Sequence, residues 1–211
     1  MLPYTATVYF SFVARYNEAL WPWHLLVYVL ALAMLALCLR PVRGGDRIIG
    51  ALLAAAWLWV GVVFHYRFFA TLNFAAPLYA LLFVIQAVLV LVTAAGLGRI
   101  AFRFRHDVAG WLGLVVAIVA LVGYPAMDVV AGFEWPGVRV PGLAPAPTVL
   151  FTVGIVTLAT PRLPMYLLAV PLLWALIAGA TAWALPMPQD YVLLPACLAA
   201  LWLGVRARRA A

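Results

Sequence analysis

The residues of this sequence best suited to chemistry are ionisable side chains at the ends of long apolar segments. Placing charge in or beside hydrocarbon is costly, so such residues mark candidate functional sites. A carboxylate grouped with arginine or histidine could bind a cation, carry a proton or hold a polar solute. The candidates are Glu18, His24, His65, Arg67, Asp128 and Glu134, with Thr148 added from a proline-rich segment.

Arg67 lies in the aromatic tract Phe64 to Phe69. A partly buried guanidinium favours a bidentate carboxylate and aromatic faces, so we expect Arg67 to pair with Asp128 or Glu134. Two interpretations stay open, a clamp between helices and a substrate-binding arginine. The Arg67→Met variant separates them, because loss of a clamp removes folded protein, whereas loss of a ligand residue leaves folded protein without binding.

His24 and His65 are expected at a similar depth near one membrane boundary. His65 lies seventeen residues beyond Ile48, which is about 25 Å along a helix. Histidines on separate helices could ligate a haem or, with a carboxylate, a divalent metal. The alternative is that each one forms hydrogen bonds within an interfacial aromatic belt. No metal site is predicted, and the cofactor stays unknown.

Composition sets the class of the protein. Hydrophobic residues make up 69% of the chain, charged residues 9%, and the mean hydropathy is +1.13, all far from soluble proteins. We therefore predict an all-α transmembrane bundle in contact with a lipid bilayer. All thirteen positive residues are arginines at segment ends, so nucleic-acid binding is not expected. Cys38 and Cys197 lie in apolar runs without CxxC spacing and are predicted to be buried core residues.

Seven apolar segments approach the length of about 20 residues that crosses about 30 Å of hydrocarbon. They lie near residues 20–39, 48–69, 75–97, 108–130, 144–160, 165–185 and 191–205. Ten of the thirteen arginines fall on one side of this arrangement. The positive-inside bias then places the amino terminus outside and the carboxyl terminus in the cytoplasm. No removable signal peptide is predicted before the first segment.

The segment before the first span has helical spacing of aromatic residues, shown by Tyr4, Val8, Phe12 and Tyr16. We expect a short interfacial helix within residues 1–19. Other polar residues are assigned to helix capping, because Asp or Asn before an apolar run binds free amide groups. These are Asn17, Asp46, Asn73, Asp107 and Asp190. Small residues assigned to close helix packing are Gly110, Gly113, Ala178, Gly179 and Ala180.

Two Pro-x-Pro segments, Pro145 to Pro147 and Pro186 to Pro188, open the two shortest predicted spans. Proline begins helices well, which is the structural interpretation. Short proline-interrupted helices also mark binding sites in transporters, where helix amino termini attract anions. On that interpretation the helix start at Thr148 would face the same vestibule as His65 and Arg67.

Four segments resemble a known family: Arg15 to Pro22, Trp59 to Phe69, Pro145 to Thr148 and Pro188 to Tyr191. Over nearly its full length the chain is similar to bacterial polytopic membrane proteins of the domain-of-unknown-function 6064 family. The resemblance implies a bacterial membrane location and no agreed activity. Relatives often have cysteine where this chain has Ala146, which argues against thiol chemistry at that position.

Other seven-span families require residues that this chain lacks. The sequence has no lysine for a retinal Schiff base. Its three histidines are too few for a zinc-dependent intramembrane hydrolase, since His106 lies among predicted cytoplasmic arginines. Pro188-Gln189 resembles the motif of semi-sweet-type sugar transporters but occurs once, on the opposite side.

We therefore predict a multi-pass protein of the bacterial cytoplasmic membrane with an outward-opening polar vestibule for a small solute or ion. Arg67 would be its electrostatic anchor, and Glu18, Asp128 or Glu134 its proton-coupling or cation-binding carboxylate. The second hypothesis is a membrane enzyme in which His65 acts as base or metal ligand. The third is an accessory subunit or homo-oligomer whose tryptophan-rich faces contact a membrane-protein partner.

Overall fold

The protein is predominantly helical with almost no strand, as the sequence predicts. The computed structural model describes residues 3–185 and 187–209 and is 76% helical. The described residues form α1 (Ala6–Ala19), α2 (Trp23–Leu39), α3 (Gly45–Thr71), α4 (Ala76–Gly96), α5 (Val108–Val130), α6 (Pro145–Thr157), α7 (Met165–Ala184) and α8 (Pro188–Arg209). Two short strands, β1 (Ala101–Phe102) and β2 (Ala159–Thr160), pair antiparallel.

Five helices, α3, α4, α5, α7 and α8, are long and apolar enough to cross a membrane. Helices α1 and α2 pass the same test only together, and they meet at an angle of 88°. They bring the number of helices compatible with crossing to six. Helix α6, the fifth predicted span, has 13 residues and is about 20 Å long, which is shorter than the hydrocarbon thickness.

Several long helices contain irregular turns. Helix α3 changes to π-helix over Val60–Phe68, and α5 does so over Val119–Gly123, just before Pro125. Pro125 has no amide hydrogen to donate, which accounts for the disturbed hydrogen bonding in α5. Isolated π-helical turns are frequent at functional sites. The π-helical turn of α3 contains His65, one of the predicted site residues.

Helix α1 confirms the predicted amino-terminal helix, and the Thr5 hydroxyl caps it by accepting from the Val8 amide. Its buried face differs from the predicted stripe, because Val8 is 46% exposed. The residues of α1 buried against the rest of the protein are Tyr9, Phe10, Val13, Tyr16 and Asn17. Because α1 meets α2 at 88° and buries this face, it lies across one end of the helical bundle.

Helix α6 lies at the centre of the bundle, and all 13 of its residues are buried. Its contact with α5 is close, since a Cβ at Gly154 would lie 2.6 Å from the Ala117 nitrogen. A Cβ at Gly113 would lie 2.8 Å from the Gly154 carbonyl oxygen. The predicted packing role of Gly113 is confirmed. That of Gly179 is wrong, because a Cβ there would have nothing within 4 Å.

The connections meet in two groups at opposite ends of the bundle. At one end β1 and β2 pair, Arg103 binds Asp46, and the Phe104 amide donates to the Cys38 carbonyl at 2.9 Å. Ten of the thirteen arginines belong to the connections and chain terminus at this end. We call it the arginine-rich end. The opposite end carries α1 and the 131–144 loop between α5 and α6.

The structure confirms two of the five capping predictions and contradicts the other three. Asp107 is confirmed as a cap, because its carboxylate accepts from the Gly110 amide at 2.7 Å. Asn73 accepts from the Ala75 amide at 2.9 Å, just before α4. The prediction is wrong for Asp46, which accepts from Phe102 and Arg103. The prediction is also wrong for Asn17, which donates to carbonyls of the loop between α5 and α6, and for Asp190, which accepts from Tyr124 and Arg139. These partners are distant in sequence, so local spacing does not reveal them.

Candidate functional site

A buried charged cluster lies where the 131–144 loop enters the bundle beneath α1. Arg139 is 1% exposed and Asp128 is 0% exposed. The Arg139 Nη2 donates to Asp128 Oδ1 at 2.7 Å, and Nε donates to Asp128 Oδ2 at 3.1 Å. Its Nη1 donates to Asp190 Oδ1 at 3.0 Å. A single guanidinium therefore joins the end of α5 to the start of α8.

The two carboxylates of this cluster differ in their surroundings. Asp128 also accepts from the Arg139 amide and from Gln189 Nε2, both at 2.9 Å, so both of its oxygens are engaged. Asp190 accepts from the Tyr124 hydroxyl and from Arg139, and both bonds end on Oδ1. No hydrogen bond among the described residues ends on Asp190 Oδ2. Of the two carboxylates, Asp190 is therefore the one that can accept further hydrogen bonds.

Aromatic faces complete the surroundings of Arg139. Its guanidinium carbon lies 5.0 Å from the Tyr124 ring centre and 5.3 Å from that of Phe10. A guanidinium stacks well on such faces because it is planar and weakly hydrated. Arg139 lies in the loop outside the membrane-spanning segments, and burial alone would lower its pKa. The Asp190 carboxylate and the other neighbouring acceptors raise the pKa by more than burial lowers it, so the pKa ends above its ordinary value. Arg139 is thus a permanent positive charge.

A cavity of about 40 Å³ adjoins this cluster between α3, α7 and α8, and we call it the Asp190 cavity. The residues that line it include Asp190, His65 and Trp174. Neither His65 nitrogen nor the Trp174 indole nitrogen has a hydrogen-bond partner in the described part of the chain. Buried polar atoms normally have partners, so these atoms point to a place where water or a ligand binds. A cavity of this size accommodates about three waters.

Aromatic packing holds His65 in place. Its ring centre lies 4.8 Å from that of Phe83, 5.0 Å from Trp174 and 5.2 Å from Phe64, each with an edge-to-face geometry. The imidazole is 0% exposed. The imidazole is therefore enclosed by aromatic rings, and the residue also lines the Asp190 cavity.

Helix α1 covers the Asp190 cavity, and Tyr4 and Tyr9 form part of its wall. The helix is attached to the 131–144 loop by side chains near its carboxyl end. Asn17 Nδ2 donates to the carbonyls of Pro136 and Val138, the latter at 2.8 Å. The Tyr16 hydroxyl donates to the Leu143 carbonyl at 3.0 Å. These contacts make α1 the cover of the site.

The structure brings together only part of the predicted site. Asp128 lies in the charged cluster and His65 lines the adjoining cavity. Glu18, Arg67 and Glu134 are exposed. Among the described residues Arg67 forms no ion pair, and its guanidinium stacks 6.0 Å from the ring centre of Phe68. The predicted pairing of Arg67 with Asp128 is wrong because Arg139, held in the adjoining loop, takes that carboxylate.

His24 and His65 lie in different aromatic groups. The His24 ring packs against Trp135 at 4.8 Å and Trp21 at 6.2 Å between ring centres. Within residues 3–185 and 187–209, no three His, Cys, Asp or Glu residues are grouped for metal binding. The predicted set of two histidines with a carboxylate is therefore not formed by these side chains.

Thr148 has a structural position at the start of α6. Its hydroxyl donates to the Ala144 carbonyl at 2.6 Å and accepts from the Gly142 amide at 2.7 Å. It thereby joins the 131–144 loop to α6. The Pro-x-Pro segment there begins a helix, as the structural interpretation expected.

Four residues of the hydrogen-bonded charged cluster were not among the predicted candidates: Arg139, Asp190, Tyr124 and Gln189. One signal could have indicated Arg139. An aspartate within an apolar segment needs a cation, and Arg139 follows Asp128 by eleven residues. Asp190 resembles a helix cap in its local sequence, and nothing in the spacing sets Tyr124 apart from other aromatic residues.

A larger cavity of about 210 Å³ lies between α2 and α3. Its walls are mainly aliphatic and aromatic side chains, including Leu26, Met34, Leu52 and Trp59. Thr148 contributes to the wall, but its hydroxyl is already engaged at the start of α6. The side chains that could bind a polar ligand therefore line the smaller Asp190 cavity and not this larger one.

Comparison with known proteins gives a family without an activity. No curated protein and no solved structure matches the chain. The model of one family, described as a family of unknown function, matches residues 6–211. The chain therefore belongs to the family of unknown function DUF6064.

Proposed function

We propose that this chain is an integral membrane protein that binds a small polar solute in the Asp190 cavity and carries it across the membrane. One observation carries the proposal: His65 and Trp174, whose buried ring nitrogens have no hydrogen-bond partner among the described residues, line the same cavity as Asp190. Ionisable residues inside a membrane protein are costly and commonly mark solute or proton pathways. Here they adjoin a space that a solute can occupy.

The distribution of arginine supports an orientation for this site. Ten of thirteen arginines belong to the arginine-rich end, which the positive-inside bias assigns to the cytoplasm. The Asp190 cavity lies nearer the opposite end, beneath α1. We propose that this end faces outward from a bacterial cytoplasmic membrane and that α1 lies along the membrane surface. The number of crossings would then be seven if the α1–α2 pair and α6 each count as one.

In the proposed cycle, displacement of α1 opens the cavity to the outside. The solute then binds between Asp190, which accepts hydrogen bonds through Oδ2, and His65, whose nitrogens can donate or accept. The Arg139–Asp128 pair keeps the loop and the start of α8 in position while the solute binds. In this cycle the cover would act as the outer gate, since alternating access opens a fixed site to one side of the membrane at a time.

Uptake into proteoliposomes tests the proposal. The panel contains small cationic, neutral and anionic solutes, each compared with vesicles lacking protein. We expect faster uptake of at least one class by the wild type and loss of that uptake in His65→Phe. His24→Phe is the matched control, because His24 is also buried without a hydrogen-bond partner in the described part of the chain but does not line the cavity.

Size-exclusion chromatography verifies that both histidine variants are folded before uptake is measured. Absence of uptake for every class would contradict the proposal. Equal loss of uptake in the His65 and His24 variants would also contradict it, because the effect would then not depend on the cavity.

A further inference from the structure

We infer that the Asp190 cavity selects a small ammonium-type monocation, such as ammonium or methylammonium. This inference rests on the proposed function and names its solute class. It follows from the charge, the aromatic lining and the size of the site, which are three separate properties of the described residues.

The charge of the cluster favours a monocation. Arg139 is matched by Asp128, which binds it through both oxygens. Asp190 is a second carboxylate beside the same guanidinium. With both acids ionised the three groups carry a net formal charge of −1. A bound monocation at Asp190 would bring the buried site to neutrality, and an anion would add to the excess negative charge.

The lining favours an ammonium group over a divalent metal cation. Rings of Tyr4, Tyr9, Tyr79 and Trp174 border the cavity. Aromatic faces attract organic cations through the ring quadrupole, and cages of such rings recognise ammonium groups. Calcium and magnesium instead require about six oxygen ligands. His65, whose nitrogens have no hydrogen-bond partner among the described residues, also lines this cavity.

The size of the cavity limits the solute. A volume of about 40 Å³ holds about three waters. Ammonium and methylammonium fit within that space, whereas bulky amines do not. The ring edges of Phe83 and Phe64 against His65 leave the wall little freedom to expand. Affinity should therefore fall as carbon atoms are added to the amine.

Thermal unfolding of the purified full-length protein provides the test. Methylammonium chloride is compared with sodium chloride, sodium acetate and formamide at equal concentration, with ionic strength held constant. A ligand that binds only the folded state raises the unfolding temperature in a concentration-dependent way. We expect methylammonium alone to do so. Asp190→Asn should abolish the response, and Asp107→Asn, which changes a carboxylate outside the cavity, should retain it.

A second pair of variants covers the case in which Asp190→Asn fails to fold. Tyr79 lines the cavity and packs 5.4 Å from Trp174 between ring centres, but it has no contact with Arg139 among the ion pairs and hydrogen bonds described. Tyr79→Leu removes the ring and should weaken methylammonium binding about threefold. Tyr79→Phe keeps the ring and should bind like the wild type.

The outcomes distinguish this inference from the proposed function. Stabilisation by formamide or acetate instead of methylammonium would overturn the inference and leave a solute site of different selectivity. An equal response of Tyr79→Leu and Tyr79→Phe to methylammonium would also overturn it, because the aromatic face would then not contribute. Failure of every solute, together with failure of uptake, would remove the proposed function as well.

Discussion

Arg139 and Asp128 form a bidentate ion pair in which neither side chain is more than 1% exposed. The pair joins residues eleven positions apart and folds the 131–144 loop back into the end of α5. Asp190 meets the same guanidinium from α8, so one buried cation determines how three segments meet.

Removing that cation should be strongly destabilising. Arg139→Met would leave two carboxylates buried without a positive partner, and breaking a buried ion pair costs about 3–5 kcal/mol. We expect a large fall in the yield of folded protein and in its unfolding temperature. Arg67→Met is the control, because that arginine is exposed and such substitutions change stability by about 0.5 kcal/mol or less. Similar behaviour of both variants would contradict this account.

Detaching α1 should expose the Asp190 cavity. Asn17→Asp keeps the side-chain shape but replaces the two donated hydrogen bonds to Pro136 and Val138 with repulsion between oxygens. We expect faster amide hydrogen exchange across α1 than in the wild type, measured by mass spectrometry. The neighbouring variant Glu18→Gln changes an exposed side chain and should leave exchange unaltered. Unchanged protection in Asn17→Asp would argue against the attachment.

The contact between α5 and α6 should not tolerate an added methyl group. A Cβ at Gly154 would meet the Ala117 nitrogen at 2.6 Å, so Gly154→Ala should cost about 1–3 kcal/mol through overpacking. Gly179→Ala has open space and should be neutral or stabilising by up to about 1 kcal/mol. Thermal unfolding measures both. A stable Gly154→Ala protein would show that α6 can move away from α5.

Asp107 should make the start of α5 sensitive to acid. Burial alone would raise the pKa of its carboxyl. Hydrogen bonds from the Gly110 amide and Arg105 lower the pKa by more than burial raises it, so the pKa ends below its usual 3.8. Because the folded-state pKa is depressed, the stabilisation is present above pH of about 4 and is lost as the pH falls through the folded-state pKa.

Comparison of variants isolates this effect. Asp107→Ala should lose about 1 kcal/mol of stability at neutral pH through loss of the cap. Asp107→Asn keeps a capping side chain that does not titrate. The wild type should be more stable than this variant at neutral pH, and the difference in stability should shrink as the pH falls. A constant difference between wild type and Asp107→Asn from pH 3 to pH 7 would contradict the assignment, as measured by thermal unfolding.

Several features were predictable because they depend on local sequence. The helix before Leu20, the cap at Asp107 and the burial of both cysteines follow from spacing and apolar context, and the structure confirms them. The packing role of Gly113 follows likewise from its place in an apolar segment. Arg67 shows the limit of this reasoning, since an aromatic neighbourhood does not specify which carboxylate an arginine meets.

The sequence by itself determined that the chain is an apolar helical protein with arginine concentrated at one set of connections, because composition and hydrophobic run length act without reference to distant contacts. Only the tertiary structure decided which charges meet. Arg139 and Asp190 were hidden in a loop and at a helix start, and they converge because the 131–144 loop folds inward beneath α1. A buried charge must be neutralised within a few ångströms, so its partner is chosen by three-dimensional packing rather than by distance along the chain.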